Sequence, residues 1–216
     1  MSIGGDFRSG ATLGVIAAVC TAIVALTWQL THERIADNRR AWLEQSLAPV
    51  MSGLQWDNDI IASRHTMSPP HGLPGSESAI VYRAFDQGQP VAALFVVTAR
   101  DGYSGPIRLL IGVGHDGILT GVRILEHRET PGLGDGIESG KSGWIDQFPG
   151  RSLVDPAPSG WKIRRDGGEF DQLTGASVTP RAVVKAVFET LQYFAANRDA
   201  LFAAPADVTP AEAGDD

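Results

Sequence analysis

Ile107-Arg-Leu-Leu-Ile-Gly-Val-Gly-His-Asp-Gly-Ile-Leu-Thr-Gly-Val-Arg-Ile-Leu125 decides the fold. Two apolar runs flank Asp116-Gly117, a dipeptide that accepts the positive φ of a tight hairpin turn. The connection is too short for a helix, so the two runs pair antiparallel. The same stretch contains Gly112-Val-Gly114-His-Asp-Gly117, which matches the dinucleotide fingerprint G-x-G-x-x-G. That fingerprint requires a helix after its glycines. Ile118–Leu125 reads instead as a strand, which makes these hairpin glycines.

Working outward, Ala79–Phe85 and Val91–Ala99 are two further strand-like runs, separated by Asp86-Gln-Gly-Gln-Pro90. Arg100-Asp-Gly-Tyr-Ser-Gly105 leads into the hairpin. Closely spaced strands without intervening helices predict an antiparallel sheet. Met67–Gly75 is dense in chain breakers and reads as a loop. A short helix is expected over Ile137–Phe148. A long closing helix is expected over Arg181–Phe202, with Val183, Val187, Leu191 and Phe194 at helical spacing. Pro180 suits the first helical position and Thr179 the N-cap. The class is α+β.

The N-terminal region is of another kind. Between Arg8 and Glu33 there is no Lys, Arg, Asp or Glu, and Ala11–Leu30 is mostly Ala, Val, Ile and Leu. About 20 such residues span a hydrocarbon core of about 30 Å. The run is longer than the apolar core of a cleaved signal peptide, and no Ala-x-Ala-like site follows it. The expected organisation is a tail at 1–10, a transmembrane helix at 11–31 and an amphipathic juxtamembrane helix at 32–50. A globular domain at 51–202 and a disordered acidic tail at 203–216 complete it. Arg34, Arg39 and Arg40 follow the span and only Arg8 precedes it. Taken literally, the positive-inside rule keeps the domain in the cytoplasm.

Eighteen Lys and Arg against 25 Asp and Glu give a net charge of −7, with no basic stripe interleaved with aromatics, so nucleic acid is not an expected partner. The five histidines are scattered and the single cysteine, Cys20, lies in the span, which predicts neither a metal site nor a disulfide.

The stretch carrying chemistry is Asp171-Gln-Leu-Thr174-Gly175-Ala176-Ser177-Val-Thr179-Pro180. The hydroxyls of Ser177 and Thr179, two small residues and a helix start suit a phosphate, because the free N–H groups and positive dipole end of a helix attract anions. Gly175-Ala-Ser177-Val-Thr179 falls short of the hydrolase elbow G-x-S-x-G at its last position. A second constellation, Glu129-Thr130-Pro131-Gly132-Leu133-Gly134, ends the last strand, and its glycines permit close approach of backbone to a flat ligand.

The first stretch resembles the flavinylation motif of FMN-binding domains, Asp-x-x-(Ser/Thr)-Gly-Ala-(Thr/Ser)-x-Thr. Glu-Thr-Pro-Gly-Leu-Gly and the preceding Gly102-Tyr103-Ser-Gly105-Pro-Ile107 are similar to two further elements of the same family. With one membrane span in front, the whole resembles the G subunits of Rnf-type ion-translocating electron transport complexes. The homologous C subunits of the sodium-translocating NADH:quinone reductase, or a membrane-anchored module that binds flavin non-covalently, are the alternatives. The resemblance implies a membrane-anchored one-electron carrier, a redox subunit rather than a stand-alone enzyme. It implies FMN joined by a flavin transferase through a phosphoester to Ser177, where most relatives carry Thr, with Thr179 the other hydroxyl. Thr174, Gly175, Ala176 and Thr179 would then shape the phosphate pocket. Glu129, Thr130 and Leu133 would line the flavin ring, and Asp171 would serve recognition by the transferase. Other subunits of the complex would be partners. The flavin domain would lie on the periplasmic side of the bacterial inner membrane, against the charge-based orientation.

Overall fold

The computed structural model describes residues 3–203, with the side chains of 3–12, 33 and 35–43 excepted. The chain divides into two compact units after Gln45.

In the first unit lies most of a single long helix, α1 (Ile3–Val50). The expected tail at 1–10 is thus helical from Ile3 onward. Its segment Leu13–His32 has a mean hydropathy of 2.0 and no buried residue, and it is long and apolar enough to cross a membrane. Thr21, Thr27 and Thr31 donate their hydroxyls to the carbonyls four residues earlier, Ala17, Ile23 and Thr27, at 2.8–2.9 Å. Such back-bonding satisfies a hydroxyl where no water is at hand. Ile35, Trp42 and Leu43 of the expected juxtamembrane helix lie outside the described side chains.

The second unit is built on five antiparallel strands, β1 (His65–Met67), β2 (Ala79–Asp86), β3 (Gln89–Ala99), β4 (Ile107–Gly114) and β5 (Leu119–Glu126). They lie in sequence order as a meander. Gln87 and Gly88 join β2 to β3 with φ of 50° and 77°, the two positive values that a type I′ hairpin turn needs. The turn at Asp116-Gly117 closes between β4 and β5 as expected, with Gly117 at φ 86° and its N–H donated to the Gly114 carbonyl at 2.8 Å.

β3 and β4 are apolar on both faces because both are covered. On one face, α2 (Val178–Ala203) packs Val183, Val187, Leu191 and Phe194 against Phe95, Leu109 and Ile111. The Phe95 and Phe194 rings meet edge to face at 6.2 Å. On the other face, Gly112 and Gly121 are paired in register. A Cβ on Gly121 would lie 2.9 Å from the Val50 Cα, so these glycines form a notch that seats Val50.

Three expectations are corrected. β1 falls in a stretch that carried no strand signal. Ile137–Phe148 is not a helix: single 3₁₀ turns at Gly134–Ile137 and Trp144–Gln147 occupy the region, with Gly140 and Gly143 between them. Gly lowers helix propensity by about 1 kcal/mol, which favours short turns here. Finally, α2 begins at Val178, so Ser177, not Thr179, precedes the helix. Pro180 sits in its first turn, where a missing N–H leaves no bond unmade. Of the expected acidic tail at 203–216, only Ala203, the last residue of α2, lies within the described residues.

Candidate functional site

Three segments distant in sequence converge at one end of the sheet. The first, between β3 and β4, is the Gly102–Gly105 loop. A Cβ on Gly102 would lie 2.2 Å from the Gly105 carbonyl, so only glycine closes this loop. The second follows β5. Here the Thr130 carbonyl accepts the N–H groups of Leu133 and Gly134, both at 3.1 Å, in a tight turn. The third is the turn Leu173–Ala176 leading into α2, in which Ala176 N–H is donated to the Leu173 carbonyl at 3.1 Å. Gly175 holds φ 79° at the third position of that turn, as a type II turn requires.

Glu129 ties the three together. Its carboxylate is buried, and one oxygen accepts the Ser104 N–H at 3.0 Å while the other accepts the Thr179 hydroxyl at 2.5 Å. Hydrogen bonds to a charged group contribute about 1.5–3 kcal/mol, and they satisfy a carboxylate that would otherwise be costly to bury. A Cβ on Gly134 would sit 2.7 Å from that second oxygen, so the turn passes over the carboxylate only as glycine. The Glu129 backbone is held in turn by His127, whose Nδ1 accepts its N–H at 3.0 Å.

Between the segments lies a cavity of about 370 Å³, within the usual range of small-molecule sites. Tyr103 borders it from the first segment, Glu129, Thr130, Leu133 and Gly134 from the second, and residues 175–179 from the third. Of the residues the sequence assigns to cofactor binding, only Thr174 is left out. It is exposed and outside the lining. Clefts of about 470 and 450 Å³ occur elsewhere, and neither contains a residue of the flavinylation stretch or of the turn after β5.

The two candidate hydroxyls differ sharply. Thr179 is wholly buried and its hydroxyl is committed to Glu129. Ser177 is half-buried, opens on the cavity, and accepts a hydrogen bond from Arg165 Nη1 at 3.3 Å. The turn carrying Ser177 is fixed from behind. Trp144 Nε1 donates to the Asp171 carbonyl at 2.6 Å, and Asp171 N–H is donated to Gln147 Oε1 at 2.8 Å. The Asp171 carboxylate itself pairs with Arg164 at 3.1 Å on the surface.

A flavin nucleotide fits this chemistry. Tyr103, Leu133 and Val178 border the cavity while 72%, 46% and 41% exposed, an apolar rim suited to a flat ring system. The N-terminal end of α2 and the Arg165 guanidinium offer positive potential beside Ser177, suited to a phosphate. Sequence reasoning missed Arg165 altogether. Tyr103 was visible within its glycine motif but had no role until the cavity placed it on the rim.

These features describe a flavin-nucleotide-binding domain. The FMN-binding domain family matches residues 102–192, and a family described as the RnfG N-terminal region matches residues 7–50. A protein of Pseudomonas aeruginosa, named as the G subunit of an ion-translocating oxidoreductase complex, is 46% identical over 198 residues, covering 91% of this chain and 92% of its own. Proteins of the same name are 45% identical in Cereibacter sphaeroides (90% and 87% covered) and 42% in Shewanella amazonensis (92% of each). The chain belongs to this family of G subunits.

Proposed function

We propose that the chain is the membrane-anchored electron carrier of an ion-translocating oxidoreductase complex, holding FMN as a phosphoester on Ser177. The contrast between the two hydroxyls carries the assignment: one is buried and donated to a carboxylate, the other faces the cavity. When bound, FMN supplies one-electron transfer, and the protein supplies position and electrostatics. Gly175 and Ala176 keep the approach to Ser177 clear of bulk. Leu133, Val178 and Tyr103 shield the ring from water, and the Glu129–Thr179 bond fixes the helix start against the turn after β5.

Attachment by a flavin transferase forms the Ser177 Oγ–phosphorus bond. The bond from phosphorus to the leaving group of a flavin-nucleotide donor breaks, its electron pair departing with that group. The hydroxyl proton passes to a base of the transferase. A tether retains the cofactor where diffusion does not replenish it. The segment Leu13–His32 anchors the protein in the bacterial inner membrane, with the flavin domain on the periplasmic side and other subunits of the complex as electron partners.

Intact mass of the full chain, produced with and without the transferase, tests the linkage. One FMN is expected, retained on denaturation and mapped to the peptide containing Ser177. Mapping to Thr179, or release of all flavin on denaturation, would sink the assignment. For the orientation, alkaline phosphatase fused after Phe202 should be active and green fluorescent protein at the same point dark. The reverse pattern would put the flavin in the cytoplasm and agree with Arg34, Arg39 and Arg40.

A further inference from the structure

Arg165 sits on a short turn (Arg164–Asp166) built to hold its shape. Gly167 caps the turn at φ 82°, and Asp166 and Gly168 donate their N–H groups to the Ile163 carbonyl at 2.8 and 3.1 Å. Its base is anchored by the buried Ile163 and Phe170, the latter packed on Trp161 with ring centroids 4.8 Å apart.

Of the three charged residues on this turn, two form ion pairs. Arg164 pairs with Asp171 at 3.1 Å, and Asp166 pairs with Arg181 at 2.5 Å. That second bond, with a smaller contribution from the nearby Arg165 charge, holds the Asp166 carboxyl below its usual range, and both of its oxygens accept hydrogen bonds from Arg181. Among the described residues, Arg165 has no carboxylate within ion-pair distance, and its hydrogen bond is to the Ser177 hydroxyl at 3.3 Å. A guanidinium whose direct hydrogen-bond partner is a neutral oxygen, beside the N-terminus of a 26-residue helix, offers a site for an anion.

We infer that Arg165 is the charge partner of the phosphate carried on Ser177, a positioning residue that fixes the phosphoester against the start of α2. This deepens the assignment of Ser177 and rests on it. Arginine suits the task because its planar fork can give two parallel hydrogen bonds to phosphate oxygens, whereas lysine acts as a point charge. Removing the guanidinium leaves the flavin-free fold unaffected, since only an exposed contact to one hydroxyl is lost.

The test compares the full-length wild type with Arg165→Lys and Arg165→Gln, each flavin-free and after co-expression with the transferase. Flavin-free proteins are expected to melt together. Loading should raise the melting temperature of the wild type most, of Arg165→Lys less, and of Arg165→Gln least. An equal rise in all three would overturn the proposal. If Arg165→Gln takes up no covalent flavin, free FMN titrated into the flavin-free chains decides. Binding about tenfold weaker in Arg165→Gln, the ratio for one lost charge-assisted hydrogen bond, supports the phosphate contact. Equal binding overturns it and assigns Arg165 to docking of the transferase. Failure of the underlying assignment shows separately, as wild type carrying no flavin on Ser177.

Discussion

Two pairs of glycines do the same kind of work at different places in this domain. Gly112 and Gly121 face each other across β4 and β5, and the space their missing side chains leave is filled by Val50 of the same chain. Gly134 and Gly175 lie in turns that border the cavity, and a Cβ on either would meet a side chain of the cavity's own lining, the Glu129 carboxylate at 2.7 Å or Leu133 at 3.0 Å. The first pair closes the sheet's second face; the second lets the walls of the site pack on one another. Glycine at a close approach therefore signals structure or function according to what approaches it, and its identity alone does not say which.

Substitutions can separate the two pairs. Gly121→Val should have the largest effect on stability, about 2–3 kcal/mol, because the new side chain meets Val50 backbone that cannot swing aside. A melt of the full chain in detergent measures it, and an unchanged midpoint would mean the Val50 segment gives way freely. Gly175→Val should lose about 1–2 kcal/mol, from a β-branched residue forced to φ 79°. It should also lose the flavin although Ser177 remains; normal incorporation there would refute the clear-approach argument. Ser177→Ala should have the smallest effect on folding, about 1 kcal/mol or less, with covalent FMN abolished. A loss of about 3 kcal/mol would make the hydroxyl structural.

The same division into structure and site runs through what the sequence made legible. β2 to β5 were readable to within about two residues because each is a β-rich apolar run bounded by turn residues. β1 was not, since three residues carry no period and their pairing with β2 is a tertiary choice. Between Glu126 and Val178 the chain forms only turns and short 3₁₀ segments, so periodicity had nothing to report. What remained legible there were motifs, and the structure brings their Glu129, Leu133 and Ser177 to one cavity. Motifs did not show that Thr179 is consumed by Glu129, because that bond joins residues 50 apart. Nor did they show Arg165, whose neighbour in space is 12 residues away through an irregular loop.

That 50-residue bond also bears on the order of events in the life of the chain. The meander can pair strand by strand as it emerges, since every strand neighbours the next in sequence. The cavity cannot exist at that stage: its third wall is the beginning of α2, the last element of the described chain, and Glu129 finds its partner only when that helix docks. A chain stalled before docking displays Ser177 on an unshaped strand of polypeptide, with no rim for a ring and no helix end for a phosphate. With the flavin attached to Ser177 as proposed, attachment would be a mark of completed folding, and the yellow of a bound flavin a stamp that only finished molecules carry.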